Sequence, residues 1–201
     1  MSAKKHTQKI AGYYDIIHNF FDSYTLATVR GYLLSAIKAA ESKRIWQTSA
    51  PGDLLFLVDR LHALIPAVYG IVPTIYQRHK AMLPPNQPAS PAAYDNYSRD
   101  FDDREAWDNF PRSLSHKEFN NPYRALQKFT SWSTCKEWHQ TLSIVLSYAL
   151  GKGSLADTGL EMQTLQIYEL LVKMVEACHL IDLRSYAPTL ENHSPNKMQA
   201  L

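Results

Sequence analysis

Cysteine is nearly missing from this chain. Only Cys135 and Cys178 occur in 201 residues, and their spacing suits neither a zinc knuckle nor a redox dithiol. Reduced, buried thiols of a cytoplasmic protein are expected. Glycine is also scarce: the seven glycines are scattered and build no phosphate-cradling loop, which excludes the usual nucleotide-binding signatures. Charge of one sign is lacking too. With 21 Lys and Arg against 19 Asp and Glu, the net charge is +2, too small a field to favour nucleic acid or an anionic membrane surface. The stretch MSAKKHTQKIAGYYDIIHNFF has basic residues but no continuous apolar core and no small-residue cleavage site, so no secretory signal is expected.

Strand patterning is sparse as well, and helical periodicity takes its place. Across residues 25–46, Leu26, Val29, Leu33, Ala36, Ile37 and Ala40 fall on one face of a 3.6-residue repeat, with Asp22 or Ser23 as the candidate cap. A second helix follows SAPGD, where Pro51 suits a first helical turn. Its stripe is Leu54, Leu57, Val58, Leu61, Leu64, Ile65, Val68, Val72 and Ile75. Pro66 and Pro73 lie inside it and bend it rather than end it, freeing the carbonyls of His62 and Tyr69. The run is long enough for a membrane span, but Asp59, Arg60 and His62 lie within it, so a soluble core helix is expected.

Residues 84–122 read as a long connection, because the prolines of MLPPNQPASP forbid regular structure and no helical stripe follows. Tyr94, Tyr97, Phe101 and Trp107 in an acidic setting there either pin the loop to the core or form an interaction loop. Helical patterning resumes in one block over residues 123–150 and another over 155–184, with Gly151 and Gly153 between them. Residues 187–201 read as a disordered tail. The expected fold is one all-α domain over residues 1–186, a helical bundle of two hairpins at about 22–82 and 123–185. A helix at 10–21 packs onto it.

The two halves also resemble each other. Aligning Phe20 with Phe129 pairs Thr25 with Thr134, Val29 with Trp138, Leu33 with Leu142, Ile37 with Leu146 and Ala40 with Ala149. Further on, LVDRLHALI aligns with MVEACHLID, so that Val58 meets Val175, Asp59 meets Glu176 and His62 meets His179. The expectation is an ancestral helical hairpin duplicated into a pseudo-symmetric unit.

The repeated acid-x-x-His pairs, Asp59/His62 and Glu176/His179, place a carboxylate and an imidazole on neighbouring helix positions, as di-iron bundles do. The partner helices lack the matching inward carboxylates. On the helical wheel both histidines flank the core, while Asp59 and Glu176 turn toward solvent. Local packing of each histidine is therefore favoured over a metal, although a site uniting His62 with His179 stays open. Asp15 and His18 form a third such pair. Cys135 precedes His139 by four residues, but no second element offers an oxyanion hole. Lys43-Arg44 and Arg78-His79-Lys80 complement helix ends, so nucleic acid is not an expected partner. The expected function is non-catalytic: a helical protein-interaction or regulatory module without a cofactor, binding another protein or a second copy of itself. The alternative is a metal- or small-ligand-binding bundle using Asp59, His62, Glu176 and His179.

Overall fold

The computed structural model describes residues 2–42, 44–79, 108–155 and 163–191. Among them lie seven helices and no strand: α1 (Ser2–Ser23), α2 (Leu26–Glu41), α3 (Pro51–His79), α4 (His116–Asn120), α5 (Tyr123–Trp132), α6 (Cys135–Leu150) and α7 (Thr164–Glu191). The chain is all-α, as the periodicity predicts. Several boundaries differ. The N-terminal helix extends beyond 10–21 in both directions. The block at 123–150 is two helices rather than one, because Thr134 turns extended and caps α6. Its hydroxyl accepts from Glu137 N, and the Glu137 side chain answers at the cap backbone, a complete capping box. Thr25 plays the same part for α2, accepting from Thr28 N at 3.2 Å, so the expected cap at Asp22 or Ser23 is displaced. The helix at the C-terminus continues past Pro188 to Glu191, into the stretch expected to be tail.

Most of each expected stripe is buried, although in α3 Val72 is half-buried and the Ile75 side chain lies outside the described residues. Leu26, Val29, Leu33, Ala36, Ile37 and Ala40 of α2 are buried, as are Leu54, Leu57, Val58, Leu61, Leu64, Ile65 and Val68 of α3. α3 runs unbroken through Pro66 and Pro73, both of which face solvent. An outward proline costs the helix one hydrogen bond but no packing. At Gly70 an added Cβ would strike the Tyr13 ring, so the glycine makes room on α3 for this side chain of α1. Pro51–Pro73 is long and apolar enough to cross a membrane by length and composition, a test that core helices also pass.

The packing order places the candidate residues. α1 lies on α3, α5 on α7, α2 on α6, α2 on α7, and α6 on α3. α3 and α6 are antiparallel, since the Tyr69 hydroxyl donates to the Ser133 carbonyl while His62 stacks on His139. After α2 the chain folds back: Trp46 N donates to the Ala149 carbonyl at 2.8 Å, and its indole donates to Ser35 Oγ at 2.7 Å. Near the middle of the bundle, Tyr14 and Tyr123 share a hydroxyl–hydroxyl hydrogen bond of 3.1 Å. Phe129 stacks on Trp138 with ring centroids 4.3 Å apart. Buried side chains from α1, α2, α3, α5, α6 and α7 form one apolar cluster.

Candidate functional site

Two polar clusters stand out. The first centres on Glu176, which the helical wheel assigns toward solvent and which the fold buries completely. The correction has a plain cause. Residues 108–115, read as part of a connection, lie across this part of α7, and the carboxylate faces their main chain rather than water. Glu176 Oε1 accepts from Arg30 Nη1 and from the Arg112 backbone N–H, both at 3.1 Å, and Oε2 accepts from the Ser113 N–H at 2.8 Å. Arg30 in turn donates to the carbonyl of Phe110 at 2.7 Å and to that of Asp108. Asn109 Oδ1 accepts from Ala27 N near the start of α2. A buried ion pair thus grips an extended segment almost wholly through its backbone.

The anchor continues into α4. Ser115 and Glu118 form a capping box, and buried Glu118 also accepts from Lys128 Nζ at 2.6 Å. Burial alone would raise its carboxyl, but Lys128 and Ser115 outweigh this and hold it at about 2. Arg184 donates to the carbonyls of Phe119 and Asn120 and lies over the Phe119 ring. Residues 108–122 of the presumed connection are therefore a fastened part of the fold.

The second cluster lies where α3 meets α6. The His62 and His139 rings stack with centroids 4.7 Å apart, and Cys135 Sγ lies 3.9 Å from His139 Nε2. Burial and the neighbouring His139 push the His62 imidazole below its ordinary value, while Asp59 opposes them. Asp59 itself is exposed. Burial pushes the Cys135 thiol up, away from the nucleophilic thiolate. Both cysteines are free thiols.

His62 and His179 pack against different rings, His139 and Phe21. His179 packs on Phe21 of α1 at 4.8 Å, and burial with the Arg30 charge pushes it down to about 4. His18, paired in sequence with Asp15, instead lies 3.1 Å from Asp182 of α7. Among the described residues no group of three or more His, Cys, Asp or Glu is placed to hold a metal ion. Stacked rings such as His62 and His139 present their nitrogens side by side rather than toward one point. Tyr94, Tyr97, Phe101 and Trp107 lie outside the described residues. Arg30 carries no signal in the sequence, being a lone cation beside the α2 stripe. The Arg112 and Ser113 contacts use only main chain, which leaves no signature in residue type. No family model, curated protein or solved structure matches this chain.

Proposed function

We propose that this chain is a non-catalytic helical interaction module, assembled by duplication and acting inside the cell on another protein. The observation that carries the reading is the Arg30–Glu176 anchor. It clamps the carbonyls of Asp108 and Phe110 and the N–H groups of Arg112 and Ser113. That fixes the downstream base of the segment bearing Tyr94, Tyr97, Phe101 and Trp107. Aromatic side chains on a segment tethered to a rigid bundle give a large contact area at low entropic cost. Two free thiols suit a reducing compartment.

The duplication is supported by pairs that the alignment predicts and by one that it implies. Thr25 and Thr134 are the N-caps of α2 and α6, helices of 16 residues each. Phe20 and Phe129, Leu33 and Leu142, and Ala40 and Ala149 are all buried. The same offset of 109 residues joins Tyr14 to Tyr123, whose hydroxyls meet, as equivalent residues do beside a two-fold axis. It also joins Arg30 to His139, so that each acid-x-x-His pair meets a basic residue of the other half's middle helix. The repeated unit is then three helices, α1–α2–α3 and α5–α6–α7, with the helix at the N-terminus a full member.

Affinity enrichment with the full chain tests the interaction reading, compared with a variant carrying Ala at positions 94, 97, 101 and 107. A protein retained by wild type, lost by the variant and shown to bind directly when purified supports it. A metal or small molecule co-purifying at one equivalent, detected by elemental analysis and native mass spectrometry and lost in His62→Ala or His179→Ala, would instead establish the ligand-binding alternative.

A further inference from the structure

The outer face of α3 is bare where the matching face of α7 is covered. Val172, Glu176 and Leu180 of α7 are buried. At the offset of 117 residues that pairs His62 with His179, their counterparts are Leu55, Asp59 and Ala63, and all three are exposed. Leu55 and its neighbour Phe56 keep 49% and 43% of their surface open to water, and exposed Pro66 extends the same face. The chain path explains the difference. In the second half Pro122 stands at the start of α5, and the stretch upstream doubles back over α7. Its counterpart in the first half, Tyr13, is an ordinary residue within α1, which runs on unbroken to Ser2. Nothing among the described residues returns over α3.

Two buried nitrogens adjoin this face. Arg60 Nε and His62 Nε2 are buried without a hydrogen-bond partner among the described residues. The Arg60 guanidinium lies over the Phe56 ring at 4.7 Å. An exposed apolar strip flanked by a carboxylate and a guanidinium is what an extended peptide can cover, its main chain meeting the charged groups.

We propose that Leu55, Phe56, Asp59, Arg60, Ala63 and Pro66 form a docking site for an extended segment of a partner polypeptide. The segment runs over α3 as residues 108–115 run over α7. Successive main-chain N–H groups meet the Asp59 carboxylate, carbonyls meet Arg60, and an aromatic or aliphatic side chain rests on Leu55 and Phe56. This rests on the duplication inferred above, and it gives the interaction module a partner of stated chemistry. A bilayer fits less well, because it would take Asp59 and Arg60 into hydrocarbon. A second copy packed through the same helix brings side chains rather than N–H groups to Asp59.

The test uses a fluorescent synthetic peptide of residues 108–121, DNFPRSLSHKEFNN, titrated with the full chain and read by anisotropy. Saturable binding at one equivalent is expected. Asp59→Lys, or Leu55→Lys with Phe56→Lys, weakens it at least about tenfold while the helical circular dichroism stays unchanged. All three positions are exposed, so the variants keep the fold. No saturation to millimolar peptide overturns the proposal, as does binding that the α3 variants leave intact, which means the peptide has exchanged into the Glu176 site. Self-association, or sedimentation with vesicles of phosphatidylcholine and phosphatidylglycerol, overturns it if either is abolished by these variants while the peptide does not bind. An experimental structure whose halves fail to superpose removes the duplication and leaves the titration standing. A flat titration removes the α3 site and leaves the duplication standing.

Discussion

Glu176 shows how strongly one side chain depends on what covers it. Its carboxylate has three donors, one charged and two from the main chain. Removing it strands the Arg30 charge and two amides together. Glu176→Ala is expected to cost about 3 to 5 kcal/mol, the range for breaking a buried ion pair, measured by urea unfolding. Replacing Arg30 and Glu176 together by methionine removes the charges but still strands the Arg112 and Ser113 amides. That variant stays about 1 to 3 kcal/mol below wild type. If the double variant matches wild type, the anchor contributes nothing beyond packing.

His179 gives a second expectation at this scale. Its ring is pushed from an ordinary 6.5 down to about 4, first by burial and then by Arg30. On acidification the unfolded chain therefore takes up this proton before the folded one. The neutral ring carries no penalty above about pH 6.5, and stability is lost as the pH falls from there toward 4, by about 3 kcal/mol in all. Glu118, held at about 2 against an ordinary 4.5, adds its own loss only below about pH 4.5. In His179→Gln the unfolding free energy should fall less between pH 7 and 4 than in wild type. Parallel profiles for the two proteins would show that the proton is not linked to folding. None of this is legible in MVEACHLID, because a wheel locates a residue on its own helix and says nothing of the segment lying over it.

At the scale of the elements, local chemistry set the helix boundaries. The capping box of α6 is written in TCKE, and the break after residues 123–132 was therefore readable, although the apolar stripe continues across it. Thr134→Ala should cost about 1 kcal/mol, and Thr25→Ala a similar amount; thermal melts at neutral pH measure both. Equal losses fit the matching roles of the two caps. Gly70→Ala probes a different device. The added methyl meets the outer end of the Tyr13 ring, so the ring must swing aside or α1 shift on α3, at up to about 3 kcal/mol. The companion Tyr13→Ala should recover part of that loss. α3 itself was legible as one continuous helix, since outward prolines interrupt hydrogen bonds without interrupting the buried stripe. The fastened stretch before α5 was not, because its hold on the bundle is mostly through backbone groups that every sequence possesses.

For the whole molecule, the interlocking of the halves is the chief expectation. α3 packs on α6 and α7 on α2, so the last helix of each half is seated on the middle helix of the other. A single buried cluster spans both. Residues 1–82 alone should then fail to fold as a monomer, showing reduced helicity and no cooperative melt, while the full chain unfolds in one transition. A cooperative, monomeric half would contradict the shared core. The sequence by itself determined the helical class, most of the buried stripes and the matched acid-x-x-His positions, because these follow from residue spacing over a few turns. Only the tertiary structure decided that Glu176 is buried and Asp59 is not, that His62 meets His139 while His179 meets Phe21, and that Tyr14 meets Tyr123. Those outcomes depend on which distant segment returns over a helix, a choice set by packing and chain path that no local period records.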